Sequence, residues 1–285
     1  MVSAFFSAAS LQGMKVFGSP AKRELKTGIM WGSIGVGKTI LEKFEAAKIA
    51  GYDGVEVDSH LSRDEVLKAM ETTGLKVHSV CDSRHWKLLL SSPDTKMREE
   101  GVEALKVALE DASIFGADAV LLVPGRVTDT VSYDDCWNRS SEEIRKAVPF
   151  AAKLKVKIAV ENVWNNFLLS PLEAARYIDQ FNSPWVGAYF DVGNSMLVGY
   201  PEQWIRILGR RIKRVHFKDF RRAVGTADGF VDLLAGDVNW PAVMAALREA
   251  GYSGPLTAEM IPAYRHCPEV IVENTSRAMD AILKL

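Results

Sequence analysis

The sequence is poor in cysteine and carries almost no excess of charge of either sign. Its three cysteines, Cys81, Cys136 and Cys267, stand far apart, and none belongs to a C-x-x-C pair. This pattern argues against a disulfide framework and favours a reducing compartment, so we expect a cytoplasmic protein. The 35 basic and 36 acidic residues leave a net charge of −1. That balance is not typical of a protein that binds nucleic acid or a membrane surface.

Long apolar segments and low-complexity tracts are also missing from the sequence. No apolar run approaches the roughly 20 residues that a transmembrane helix needs, and no serine- or proline-rich stretch divides the chain. We therefore expect one domain over residues 27–285, preceded by a mildly apolar N-terminal extension over 1–26. A single α/β barrel commonly has this length.

Short apolar segments alternate with amphipathic ones along the whole chain. Most are continuous runs rather than strict polar–apolar alternations, as expected for strands covered on both faces. Pro171 after Ser170 suits a helix start, and Gly74 and Gly116 stand where helices should end. Strands that are each followed by a helix predict a (β/α)8 TIM barrel of the α/β class, with a doubly wound open sheet as the alternative. The predicted strands are 27–31, 54–58, 76–81, 119–125, 157–162, 186–191, 214–219 and 255–260.

A glycine-rich segment, GSIGVGKT at 32–39, matches the nucleotide-binding pattern G-x-x-x-x-G-K-[ST] in full. In a P-loop the backbone amides would surround a phosphate, Lys38 would contact it, and Thr39 would bind Mg²⁺. The bulky Trp31 beside the loop argues against a phosphate cradle. A nucleotide site also leaves the polar residues at four later strand ends unexplained. A P-loop nucleotide-binding protein is therefore the weaker hypothesis.

Four residues of types that bind metals lie at or near the ends of four successive predicted strands. Glu161, Asp191 and Glu259 end the fifth, sixth and eighth strands, and His216 lies in the seventh. A closed barrel brings the C-terminal ends of its strands to one face, and buried carboxylates need a partner or a metal. Three carboxylates and one imidazole predict a divalent metal site suited to Mn²⁺, Mg²⁺, Co²⁺ or Zn²⁺.

The strand phrases AVEN, FDVGN, HFKD and AEM, together with these four residues, resemble the xylose-isomerase-like sugar phosphate isomerase/epimerase superfamily from about residue 27 onward. The resemblance implies that all four residues bind the metal and that Glu161 and Glu259 also act as acid and base. It implies an isomerase or epimerase that moves a proton next to a ketose carbonyl through a metal-bound ene-diolate. Dimers and tetramers are common in the superfamily, so a homodimer or homotetramer is expected.

Two alternatives share this architecture. A dehydratase or isomerase of inosose-type ketones would use the same metal site. A DNA-repair endonuclease would need additional histidines, including one where Asn194 stands, and the chain has five histidines in all. The charge balance also gives no sign of a basic groove, so a small-molecule substrate, a sugar or sugar phosphate, is the preferred partner.

The residues around the four strand ends bear on the choice of substrate. Arg222 keeps the six-residue step from His216 by which ketose 3-epimerases of the superfamily place a substrate-contacting arginine. The same branch usually has a histidine where Asn194 stands and a glutamate where Phe167 stands. The segments FDVGN, HSVCDSRH and GFVDLLAGDVNW look more like the branch that acts on ketopentose or ketohexose phosphates.

Further substrate contacts are expected around the barrel mouth. Lys218 and Arg222 follow the seventh strand, where barrels often bind phosphate, although Lys218 can also be read as a solvated loop charge. Asn194 is expected beside the substrate. Glu56 at the end of the second strand and His85 after the third are candidate contacts to sugar hydroxyls.

Overall fold

The computed structural model describes residues 25–259 and 266–285. Most of the predicted N-terminal extension, and Met260 at the end of the predicted eighth strand, therefore lie outside the described residues. Within them, eight parallel strands close into a barrel. The barrel strands are β1 (Thr27–Met30), β2 (Gly54–Asp58), β3 (Lys76–Cys81), β4 (Ala119–Leu122), β5 (Lys157–Glu161), β6 (Val186–Asp191), β7 (Ile212–Phe217) and β10 (Leu256–Ala258), and a small antiparallel hairpin contributes β8 (Asp219–Phe220) and β9 (Phe230–Val231).

Helices connect the strands on the outside of the barrel. They are α1 (Ile40–Ile49), α2 (Arg63–Thr73), α3 (Thr95–Phe115), α4 (Tyr133–Leu154), α5 (Pro171–Asp179), α6 (Val192–Ser195), α7 (Pro201–Leu208), α8 (Trp240–Glu249) and α9 (Pro268–Ile282). The order around the barrel is β1-β10-β7-β6-β5-β4-β3-β2. The predicted (β/α)8 barrel is thus confirmed, and the open-sheet alternative is wrong. Within the described ranges, no helix is both long and apolar enough to cross a bilayer.

Local sequence signals explain where the helices begin and end. Ser170 caps α5 by accepting a hydrogen bond from the Glu173 amide, and Pro171 occupies the first turn, as predicted. Gly74 and Gly116 end α2 and α3 with φ of 71° and 73°, the left-handed conformation that glycine adopts without steric cost. These ends fix the length of each connection and hence which strand residues face the barrel interior.

The glycine-rich segment 32–39 forms a short turn and the cap of α1 rather than a phosphate cradle. Thr39 Oγ1 accepts a hydrogen bond from the Glu42 amide at 3.2 Å, and Glu42 Oε2 accepts from the amides of Thr39 and Lys38. Two of the amides that a P-loop would offer to a phosphate are therefore bound to a carboxylate of the same chain. That carboxylate would repel a phosphate, so the structure does not favour a nucleotide site.

The barrel interior contains several polar side chains beneath the C-terminal face. An apolar interior cluster contains Cys81, Leu121, Ala159 and Tyr189. Beside it lie four fully buried polar residues on four different strands, namely Glu56, Ser79, His216 and Thr257. The larger apolar core lies between the strands and the helices. Buried polar groups need hydrogen-bond partners, so the interior of this barrel is organised by hydrogen bonds as well as by packing.

Two glycines in neighbouring strands make room for a histidine near the N-terminal end of the barrel. A Cβ atom at Gly28 would collide with the ring of His78, and one at Gly54 would lie 3.0 Å from His78 Nδ1. The ring is held by Thr257, whose Oγ1 lies 2.7 Å from His78 Nε2. The side chain of His78 therefore fills space that these two strands leave empty.

A buried carboxylate organises the long connection between β7 and α8. The Asp219 carboxylate accepts hydrogen bonds from the backbone amides of Phe220, Leu234 and Val238 and from Trp240 Nε1, at 2.9 to 3.3 Å. Asp219 is fully buried. This one side chain ties the β8–β9 hairpin and the start of α8 to the end of β7, which holds the connection against the C-terminal face.

Candidate metal centre

The four predicted metal ligands converge at the C-terminal face of the barrel. Glu161, Asp191 and His216 lie on the adjacent strands β5, β6 and β7, and Glu259 directly follows β10, which pairs with β7. One ligand atom from each residue lies within 4.8 Å of the corresponding atoms of the other three. Strand ends predicted from the sequence alone thus form one compact group of three carboxylates and one imidazole.

His216 is oriented by contacts at both ring nitrogens. Nδ1 lies 3.1 Å from Glu161 Oε1, 3.0 Å from Glu259 Oε2 and 3.8 Å from Asp191 Oδ2. Nε2 lies 2.9 Å from Glu56 Oε1 on the opposite side of the ring. A carboxylate only accepts hydrogen bonds, so either ring nitrogen of His216 can donate to a carboxylate here, Nε2 to Glu56 and Nδ1 to Glu161 or Glu259. A cation among the three carboxylates would take the Nδ1 lone pair, and the hydrogen of a neutral His216 would then lie on Nε2, facing Glu56.

The electrostatics of the group fit a divalent cation. Among the described residues, Asp191 Oδ2 and Glu259 Oε2 are buried and accept no well-aligned hydrogen bond. Burial, with the nearby charges of Glu259 and Glu161, raises the pKa of Asp191 to about 8. Burial also raises the pKa of Glu161. Buried carboxylates that lie close together and repel one another are the environment that a bound cation relieves, and the oxygen and nitrogen donors suit the ions predicted from the sequence.

Lys218 is a buried cation inside this group and not a solvated loop charge. Its Nζ lies 2.8 Å from Glu259 Oε2, 3.5 Å from Asp191 Oδ2 and 3.4 Å from Asn194 Oδ1. Burial alone would raise the pKa of the Glu259 carboxyl. The neighbouring Lys218 and His216 outweigh that effect and lower the pKa well below its usual range. Because its ammonium group is paired with two of the four candidate ligands, a contact between Lys218 and a substrate phosphate is not favoured.

Replacing Lys218 with methionine is expected to destabilise the metal-free protein by about 3 kcal/mol, because breaking a buried ion pair leaves an uncompensated charge. A divalent cation supplies positive charge at the same carboxylates, so the loss should shrink when metal is present. Thermal unfolding of Lys218→Met and of the wild type, each with EDTA and with Mn²⁺, measures this difference. Lys213→Met, near the start of β7 and away from the candidate ligands, is the control. An equal loss in both conditions would contradict this assignment of Lys218.

Two asparagines hold Asp191 in place. Asn162 brackets the Asp191 backbone: its Oδ1 accepts from the Asp191 amide at 2.8 Å, and its Nδ2 donates to the Asp191 carbonyl at 2.9 Å. The Asn194 amide donates to Asp191 Oδ1, and Asn194 Nδ2 donates to the Asn162 carbonyl at 3.0 Å. The side chain of Asn194, expected beside the substrate, is therefore engaged with the protein. Such outer partners orient metal ligands.

Glu56 differs most from its sequence-based expectation. It was expected to line the barrel mouth, but β2 continues two residues beyond it to Asp58, and Glu56 is fully buried. Its carboxylate is bound to His216, Ser79 and Tyr189. The expectation of a sugar contact for Glu56 is therefore wrong, because the residue lies one layer below the strand ends.

The other residues predicted around the mouth have separate environments. His85 is buried, its Nδ1 lies 3.2 Å from the Val123 amide, and burial lowers its pKa to about 4. Arg222 is exposed; it donates to the Gly199 carbonyl at 2.7 Å, and its guanidinium lies 4.8 Å from the centre of the Tyr200 ring. Phe167 packs among aromatic core side chains. Substrate contacts by His85 and Arg222 stay predictions.

Sequence reasoning missed Tyr189 and Ser79 in the layer below the metal ligands. Tyr189 lies two residues before Asp191 on β6, so both side chains point to the same side of the strand. The same step relates Thr257 to Glu259. Counting two residues back along the strand from these predicted ligands would therefore have pointed to Tyr189 and Thr257 in the layer below.

Comparison with known proteins agrees with this architecture. A family model described as xylose isomerase-like TIM barrel matches residues 44–281. L-ribulose-5-phosphate 3-epimerase UlaE of Escherichia coli O1:K1 is 27% identical over 252 residues, which cover 84% of this chain and 88% of the relative. Curated relatives of this group are thus sugar epimerases, a class of isomerase.

Solved structures match the fold over nearly the whole chain. A D-tagatose 3-epimerase-like protein superposes with a TM-score of 0.79 and 18% identity, covering 91% of this chain and 97% of its own. An IolI protein with a bound zinc atom superposes with a TM-score of 0.77 and 18% identity, covering 91% of this chain and 98% of its own. Because the family model spans most of the described barrel, the chain belongs to the xylose isomerase-like TIM barrel family.

Proposed function

We propose that the protein is a divalent-metal-dependent 3-epimerase of ketopentose phosphates. Its assignment as an isomerase of the sugar epimerase group follows from the curated relatives. The observation that carries the finer proposal is the placement of two glutamates on either side of His216. Glu161 reaches the group from β5, and Glu259 reaches it from β10, with β7 lying between them in the barrel order.

Inversion of a carbon centre needs a proton acceptor on one face of the carbon and a proton donor on the other. Glu161 and Glu259 come from strands on opposite sides of β7 and lie 3.1 and 3.0 Å from His216 Nδ1. In the proposed reaction, one carboxylate removes the proton from the carbon next to the ketose carbonyl. The other then delivers a proton to the opposite face. The two residues exchange roles in the reverse reaction.

The exposure of the four side chains supports a division of labour. Asp191 and His216 are 0% exposed, whereas Glu161 and Glu259 retain 7% and 13%. We assign Asp191 and His216 to holding the ion, and the two glutamates to holding it and moving the proton. A divalent ion bound here would act as a Lewis acid on the carbonyl of the sugar and on the neighbouring hydroxyl. Lys218 keeps Glu259 ionised and in place.

The substrate class rests on the curated relatives and on the loop after β7. These relatives are L-ribulose-5-phosphate 3-epimerases, and the match covers most of both chains. Arg222 offers a guanidinium whose position is set by Gly199 and Tyr200, and such a group suits the phosphate of a sugar phosphate. A ketopentose phosphate is therefore the proposed substrate.

Proton exchange in deuterated water tests this proposal. Purified protein with Mn²⁺ is expected to introduce deuterium at carbon 3 of L-ribulose 5-phosphate and to form the 3-epimer, which proton NMR detects directly. EDTA should abolish both signals, and fresh Mn²⁺ should restore them. Free ketoses and an inosose serve as comparison substrates. Metal-dependent exchange into the inosose but into no ketose phosphate would contradict the proposal and favour the inosose-directed alternative.

A further inference from the structure

A network of hydrogen bonds runs through the barrel interior below the candidate metal ligands. Thr257 Oγ1 lies 2.7 Å from His78 Nε2 and 3.4 Å from the Tyr189 hydroxyl. The Tyr189 hydroxyl donates to Glu56 Oε2, and Ser79 Oγ donates to the same oxygen at 2.6 Å. The other carboxylate oxygen of Glu56 lies 2.9 Å from His216 Nε2. This hydrogen-bond network thus ends on the imidazole of His216, a candidate metal ligand.

We propose that Glu56 is a positioning residue that fixes the tautomer and the ring orientation of the metal ligand His216. This inference rests on the proposed metal site and extends it to a residue in the barrel interior. Its basis is geometric: Glu56 contacts the ring nitrogen that faces away from the carboxylates, and only the other nitrogen faces them.

The hydrogen bonds around Glu56 suit the His216 tautomer that a metal ligand needs. Glu56 has two acceptor oxygens, and three donors surround them: Ser79, Tyr189 and His216. Because the two hydroxyls share Oε2, Oε1 is left for the imidazole N–H. With its single hydrogen on Nε2, a neutral His216 keeps an unprotonated Nδ1 for the metal. A carboxylate bound to the second nitrogen also makes the first a better donor to the ion.

Burial excludes simpler roles for Glu56. Its side chain is 0% exposed, so it cannot reach a substrate at the barrel mouth. A position that served only to fill the interior would be occupied at lower cost by an apolar residue, since an ionised buried group must be fully paired. The side chains of Ser79 and Tyr189 supply that pairing, which indicates that the carboxylate itself is needed.

The test compares metal affinity and ring tautomer across matched variants. Glu56→Gln preserves volume but removes the charge, and Tyr189→Phe removes one donor to Glu56 while leaving the Glu56–His216 contact. Asp82→Asn is the control, because Asp82 is another buried carboxylate, engaged by the Arg84 amide at the end of β3. Mn²⁺ and Zn²⁺ are titrated against a competing chelator. The ring nitrogens of His216 are observed by ¹⁵N NMR of the zinc-loaded protein.

Glu56→Gln is expected to weaken metal binding by about 10- to 100-fold, the usual cost of losing an outer partner of a metal ligand. Tyr189→Phe should weaken it less, and Asp82→Asn should leave it unchanged. Thermal unfolding without metal should show that Glu56→Gln remains folded.

Glu56→Gln that binds both metals as tightly as the wild type, with unchanged His216 nitrogen shifts, would overturn the inference. In that case wild-type metal binding and epimerisation would still stand. A wild type that binds neither metal would instead overturn the proposed function.

Discussion

Glu259→Gln is expected to lower turnover by about a thousandfold, within the range for removal of a positioned acid–base group. Glutamine keeps the shape of the side chain but cannot accept the proton from the substrate carbon. It also replaces a carboxylate that lies 2.8 Å from Lys218 and 3.0 Å from His216 with a neutral amide. Deuterium exchange at carbon 3 of L-ribulose 5-phosphate measures the loss directly.

The matched control is Glu249→Gln, a change of the same chemistry on the outside of α8. Glu249 pairs with Arg206 at the protein surface, and surface pairs contribute little to stability, so turnover should stay at the wild-type level. Circular dichroism and thermal unfolding should show that both variants are folded. Retention of more than about a tenth of wild-type exchange by Glu259→Gln, against the loss expected for an acid–base group, would rule out Glu259 as an acid–base residue.

Removal of divalent metal is expected to abolish exchange and to lower the melting temperature by several degrees. A ligand present at 100 times its dissociation constant stabilises the folded state by about 2.7 kcal/mol. For a chain of this size, each kcal/mol corresponds to about 2–4 °C in melting temperature. The physical reason is the repulsion among Glu161, Asp191 and Glu259, whose candidate ligand atoms lie within 4.8 Å of one another. Scanning calorimetry with EDTA and with Mn²⁺ measures the shift.

Asp191→Asn separates binding at this site from binding elsewhere. Asp191 is fully buried and belongs to the group of candidate metal ligands, so its replacement should remove most of the metal-dependent rise in melting temperature. The exposed Asp228→Asn is the control and should keep that rise. A rise of the same size in Asp191→Asn as in the wild type would place the stabilising ion at a different site.

The sequence was sufficient to predict the barrel and the residues that converge on it, because both depend on strong local signals. Buried parallel strands are continuous apolar runs, and the polar residue that ends each run stands out against them. Glu161, Asp191 and Glu259 each follow such a run. Closure of the barrel then brings residues that are distant in sequence to one face.

The depth of a residue within the barrel was harder to predict. Strands of a closed barrel are staggered, so a residue near the end of one strand can lie one layer below the end of its neighbour. The β2–β3 register shifts between Val55 and Glu56, and no sequence pattern reveals that shift. The burial of Lys218 was hard to predict for a related reason. The short β8–β9 hairpin, whose Phe230 ring lies 4.9 Å from the Lys218 ammonium group, carries no strand signal of its own.

In the glycine-rich segment 32–39, by contrast, a sequence motif indicates a site that the structure does not favour. Its eight residues match a P-loop in full, but the pattern omits Glu42, three residues beyond its last position. That carboxylate binds the amides of Lys38 and Thr39. The motif specifies which residues could bind a phosphate, whereas the next turn of the helix determines whether their amides are available.

The space that Gly28 and Gly54 leave for His78 makes the effect of a substitution depend on the order in which substitutions occur. Alanine at Gly28 would meet the imidazole while His78 is present, but it would be tolerated once His78 has been replaced by a smaller residue. Replacement of His78 first leaves a cavity that an alanine at position 28 can then partly fill. Gly28 and His78 are therefore expected to change together during divergence, with the histidine lost first. Gly54 is not released in this way, because a Cβ atom there would also lie 2.5 Å from the backbone carbonyl oxygen of Lys76.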